Sequence, residues 1–86
     1  MASTSLNTSH LAGIRVKHRL LDLGKRQTWL IEEMKRREPN AYMDSGYMAR
    51  LLNGSEISAP KMALINKILE EEEARQNAVN RLGTNG

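Results

Sequence analysis

The chain has 86 residues, with thirteen Lys and Arg against ten Asp and Glu and no cysteine. That length allows one small domain with a thin core, whose stability should be modest or shared with a partner subunit. Lack of cysteine excludes disulfide frameworks and thiolate metal sites. "MASTSLNTSH" lacks the regions of a secretory signal and no apolar run could span a bilayer, so a cytoplasmic setting with no membrane contact is expected.

Residues 1 to 10 predict a flexible N-terminal tail, since residues 1 to 8 are rich in Ser, Thr and Asn and have little to bury. A first helix is expected to start between Ser9 and Gly13 and to run to Leu23, with Gly24 as its stop. Val16, Leu20 and Leu23 form its inward stripe at i, i+4, i+7. Ile14 and Leu21 lie roughly opposite, where they could cover the tail or meet another molecule.

A second helix is expected from about Gln27 to Arg36, with Leu30 and Met34 inward, Ile31 beside them and Trp29 half-buried at the margin. "REPNAYMD" breaks the pattern, because Pro39 disfavours helix at Glu38 and Asn40 favours a turn. Tyr42 and Tyr47 could close this turn over the core or hydrogen-bond phosphate. Asp44 suits the N-cap of a third helix that ends at Gly54. Ser58 suits the N-cap of a fourth, with Pro60 in its first turn and Met62, Ile65, Ile68 and Leu69 inward.

Beyond residue 70 an acidic extension, 71–86, is expected to prolong the last helix before "TNG" frays. Val79 and Leu82 are its sparse apolar positions, and Glu71 and Arg75 form an i, i+4 pair of favourable orientation. The whole reads as all-α, with four to five short helices and the main domain over residues 11–70.

Charge is segregated. Residues 15–37 hold eight Lys and Arg against three acids, and Glu70 to Glu73 are four glutamates in a row. A basic front half suits a phosphate-backbone partner, and it equally suits a mixed solvated surface. No catalytic constellation is evident. His10 and His18 stand in no metal-ligand spacing, and four consecutive glutamates point around a helix and form a solvated face. No enzymatic activity, metal, cofactor or small-molecule substrate is therefore expected.

"LLDLGKRQTWLIEEM", "YMARLLNG" and "ISAPKMALINKIL" in this order resemble the lambda-repressor/Cro-like (XRE-type) helix-turn-helix group over roughly residues 14–69. The resemblance implies a lambda-repressor-like domain that binds double-stranded DNA as a transcriptional regulator, of the small phage or mobile-element type. It implies a third helix in the major groove, a homodimer on paired half-sites, and no membrane role. Transferred by position, Ser45, Gly46, Tyr47, Ala49 and Arg50 would face bases, with Arg50 the side chain best suited to hold guanine. Lys25, Arg26, Gln27 and Asn53 would face phosphate, while the run Lys35, Arg36, Arg37 could grip phosphate as part of the longer turn or only complement the dipole at the end of the second helix. The chain departs from the group at Arg26, where Thr or Ser is usual, at Ile31, where Ala is usual, and in its longer turn. A second reading keeps the fold as a protein-binding module, an antirepressor or an inhibitor of a host protein. The short side chains at 45, 46 and 49, together with the acidic stretch 70–73, motivate it. A purely structural helical oligomer ranks last, because the glutamate run interrupts any apolar seam.

Overall fold

A computed structural model describes the backbone of residues 3–83 and the side chains of residues 10–79. Among the described residues there are four helices and no strand: α1 (Ser3–Leu23), α2 (Gln27–Arg37), α3 (Ser45–Asn53) and α4 (Ala59–Gly83). Two are long, with 21 residues in α1 and 25 in α4, which corrects the expectation of four to five short ones. No described helix is long and apolar enough to cross a membrane.

The helix starts and stops follow local chemistry. Gly24 sits at φ 70° and closes α1 with two bonds, Gly24 N–H to the Leu21 carbonyl and Lys25 N–H to the Leu20 carbonyl. Asp44 caps α3, its Oδ1 accepting from Tyr47 N–H at 2.8 Å, and Gly54 ends the helix at φ 86°. Ser58 Oγ accepts from Lys61 N–H at 3.3 Å at the start of α4, and Pro60 occupies its first turn. Helix α1 begins at Ser3, earlier than the expected start between Ser9 and Gly13. Once α1 is anchored by packing, adding a residue to it costs far less than nucleating a helix. Met1, Ala2 and the terminal "TNG" lie outside the described residues.

One core joins all four helices: Val16 and Leu20 from α1, Leu30, Ile31 and Met34 from α2, Met48, Leu51 and Leu52 from α3, and Ile65, Ile68 and Leu69 from α4. Leu23, Trp29 and Met62 pack at its edge. Ile31 is buried with the rest, so the core accommodates its extra volume between α2 and α3. Segment 38–44 is closed over the core by Met43, a side chain flexible enough to fill an irregular gap. Tyr42, a candidate for that task, is largely exposed, and Tyr47 is half-buried against the core.

Helices α1 and α3 meet backbone to backbone at Gly13, where a β-carbon would fall 1.6 Å from the Leu52 carbonyl oxygen. Glycine is therefore required by the crossing, although in a helix interior it costs about 0.5–1 kcal/mol relative to alanine.

The acidic segment is a solvated face only in part: Glu70 and Glu71 are exposed, and the rest turns toward the other helices. Glu72 is 8% exposed and lies on the inward side of α4, seven residues beyond Ile65 and three beyond Leu69. Glu73 takes two bonds from the Arg19 guanidinium, at 2.9 and 3.0 Å, while Arg19 also donates to Asn66 Oδ1 at 3.0 Å. Glu71 pairs with Arg37, and Arg75 pairs with Glu72, so the expected Glu71–Arg75 pair does not form. Gln76 donates to the Leu23 carbonyl at 2.9 Å, so the acidic part of α4 packs back onto α1 as far as residue 76. Val79 is exposed, and the side chain of Leu82 lies outside the described residues.

Candidate nucleic-acid interface

Helix α3 divides cleanly into two sides. Met48, Leu51 and Leu52 are buried, while Ser45, Gly46, Ala49, Arg50 and Asn53 are exposed. The exposed positions recur at i, i+1, i+4, i+5 and i+8, one continuous stripe along the helix. Three of the five are Ser, Gly and Ala, so the backbone of α3 can approach a partner closely.

Arg50 is held back along this stripe. Its guanidinium carbon stands 5.6 Å from the centre of the Tyr47 ring, its Nε 3.7 Å from a Glu56 carboxylate oxygen, and its Nη1 3.7 Å from where a β-carbon on Gly46 would be. A β-carbon at Gly46 would meet Arg50 at ordinary van der Waals distance, so that pose does not require glycine there. Half of the Arg50 side chain remains exposed. The Tyr42 and Tyr47 rings lie 5.9 Å apart, and the Tyr42 hydroxyl donates to Asp44. That hydroxyl, then the Tyr47 amide and the Arg50 charge hold the Asp44 carboxyl below its usual range. Two carboxylates, Asp44 and Glu56, thus flank the one cation of the stripe.

The residues placed toward phosphate divide into two groups. Gln27 is exposed at the first position of α2, behind an extended Arg26, and no side chain caps the first amides of α2. Arg26 and Lys35 are exposed and make no ion pair among the described residues. Lys25, Arg36 and Arg37 already have acidic neighbours. Lys25 stands 3.8 Å from Glu72 and 5.3 Å from the centre of the Trp29 ring. Arg36 bonds Glu33 at 2.7 Å, and Arg37 bridges Glu33 and Glu71. Lys35, Arg36 and Arg37 belong to the last turn of α2, where cations complement the helix dipole, and not to the turn that follows. Asn53 Oδ1 accepts from Ser55 N–H at 2.8 Å, which turns its oxygen inward and leaves the amide nitrogen to donate.

Two participants escape a motif-based reading: Glu56, which holds Arg50, and Glu72, which draws Lys25 and Arg75 toward α4. Glu72 had a signal, since it continues the inward spacing of Ile65, Ile68 and Leu69. Glu56 had none, because it meets Arg50 only after the chain reverses at Gly54. No family model, curated protein or solved structure matches the chain.

Proposed function

We propose that the chain is a sequence-specific double-stranded DNA-binding regulator of the lambda-repressor/Cro-like helix-turn-helix kind, with α3 entering the major groove. The observation that carries this reading is the outward stripe of α3, small at Ser45, Gly46 and Ala49 and charged at Arg50. A helix that must sit deep in a groove benefits from short side chains at its leading edge, with one long donor to reach a base. Gln27, Arg26 and the amides at the start of α2 supply donors for the backbone. Two copies would be needed to read paired half-sites.

The direct test is a salt titration of binding to random duplex. With Arg26, Lys35 and Arg50 as the cations available on α2 and α3, log affinity should fall against log salt with a slope of about −3 per protomer. Absence of binding even at low salt would remove this reading. It would favour the second one, a protein-binding module, which is supported by the pairing of Lys25 and Arg37 to α4 and by the carboxylates beside Arg50.

A further inference from the structure

Away from α3, the outer face of α1 carries apolar side chains that no described element covers. Leu21 is 77% exposed, Leu11 is exposed, and Ile14 is half-buried. Leu11, Ile14 and Leu21 stand at i, i+3 and i+10, so they share one face and span about 15 Å of helix at 1.5 Å per residue. This stripe opens at its C-terminal end into a groove of about 420 Å³, lined by Lys17, Leu20, Leu21, Lys25, Arg26 and Gln27. The lining has three cations and no carboxylate. Lys17 and Arg26 are exposed and make no ion pair among the described residues.

We infer that this groove, between the C-terminal half of α1 and the start of α2, is a docking site for an acidic amphipathic helix. The partner helix lays apolar side chains on Ile14 and Leu21 and sets carboxylates against Lys17 and Arg26. Charge decides among occupants. A second copy packed by this same face would set one cation-rimmed groove against another, with no carboxylate in either lining, and like charges facing each other oppose that dimer. A phosphate backbone would satisfy the cations but gain nothing from Leu20 and Leu21. An apolar seam rimmed on one side by cations matches a helix with an apolar stripe bordered by glutamates. The groove leaves α3 free but shares Arg26 and Gln27 with the phosphate-facing set, so an acidic helix seated here would compete with DNA for those two residues.

The probe is a synthetic helical peptide of about 18 residues, five turns, with Leu at i, i+3, i+4 and i+7, Glu at the positions bordering that stripe and Ala at the remaining ones to keep it helical. Titration into 15N-labelled protein should shift the amide signals of Ile14, Lys17, Leu21 and Gln27 and leave those of Ser45 to Arg50 in place. K17E combined with R26E should weaken the peptide about tenfold or more, and L21S by a similar factor; all three positions are exposed, so the thermal midpoint should hardly move. Equal binding of a scrambled peptide of the same composition would overturn the inference, since it would show charge attraction alone. Failure to bind the patterned peptide, or stronger binding of phosphatidylglycerol vesicles or duplex DNA through Lys17 and Leu21, the groove residues outside the phosphate-facing set, would overturn it too.

Discussion

Gly13 in α1 faces the backbone of Leu52 in α3 so closely that a β-carbon at position 13 would stand 1.6 Å from the Leu52 carbonyl oxygen. This contact sets how near α1 can lie to α3, and with it the depth at which Val16 meets the residues of α3. Helix propensity and packing oppose each other here. Alanine in place of a helical glycine gains up to about 1 kcal/mol by propensity, whereas forcing two backbones apart in a packed core costs about 1–3 kcal/mol or more. Gly13→Ala should therefore be destabilising by about 2 kcal/mol or more, lowering the thermal midpoint by roughly 8 °C at the least. A midpoint equal to or above wild type, followed by circular dichroism, would show that the crossing can open without cost.

Glu72 ties α4 to its neighbours in a pH-dependent way. Its bond from Arg75, opposed by burial and helped by Gln76 and by the charges of Arg75 and Lys25, holds its carboxyl down to about 2 from an ordinary 4.5. The folded state thus binds this proton more weakly than the unfolded chain. The stabilisation is complete above pH 4.5 and disappears as pH falls from 4.5 to about 2. Glu71 and Glu73, held low first by Arg37 and Arg19 respectively, act in the same direction. Urea midpoints measured across this range should fall with pH in the wild type, and E72Q should flatten part of that slope. Identical slopes in the two proteins would assign the acid sensitivity to other carboxylates.

Asp44 supports α3 from its first turn. Replacement by Ala removes the acceptor of the Tyr47 amide and of the Tyr42 hydroxyl, and should cost about 1 kcal/mol. Asp44→Ser keeps an acceptor for the amide and should recover most of that loss. Thermal unfolding of the two variants side by side distinguishes a cap from a merely exposed carboxylate, for which both substitutions would be neutral.

Under the DNA-binding reading, Arg50 is the side chain with reach enough to read a base. Arg50→Ala should reduce affinity for a selected duplex by about 1–3 kcal/mol and for random duplex much less. Equal losses on the two duplexes, measured by fluorescence anisotropy at one salt concentration, would restrict Arg50 to backbone contact. E56Q frees Arg50 of its one acidic partner within 4 Å and should raise affinity for both duplexes.

Local signals made the helix limits legible. Gly24, Asp44, Gly54 and Ser58 each act through groups within a few residues, so their roles as caps and stops follow from residue type and position alone. The inward residues were legible for the same reason, since the 3.6-residue period of Val16 and Leu20, Leu30 and Met34, or Ile65 and Ile68 marks one face whatever lies opposite. The long segment after α2 was visible as a break at Pro39, but its anchor was not: Met43 and Tyr42 are adjacent, and which of them turns inward depends on the shape of the gap.

The amino-acid sequence by itself determined an all-helical chain, its boundaries to within a residue or two except at the start of α1, and the apolar set that builds the core. Only the tertiary structure decided the fate of the charges. Arg19 and Glu73 are 54 positions apart and Arg37 and Glu71 are 34 apart, so nothing local links them. When α4 packs against α1 and α2, a glutamate run that reads as solvated becomes the counter-charge of the basic front half. That pairing withdraws Lys25 and Arg37 from the surface set available to a partner and leaves Arg15, Lys17, Arg26 and Lys35 of the basic front half, with a tethered Arg50, to meet one. Periodicity is local and survives in the sequence, whereas electrostatic neutralisation between distant segments exists only once the chain has folded.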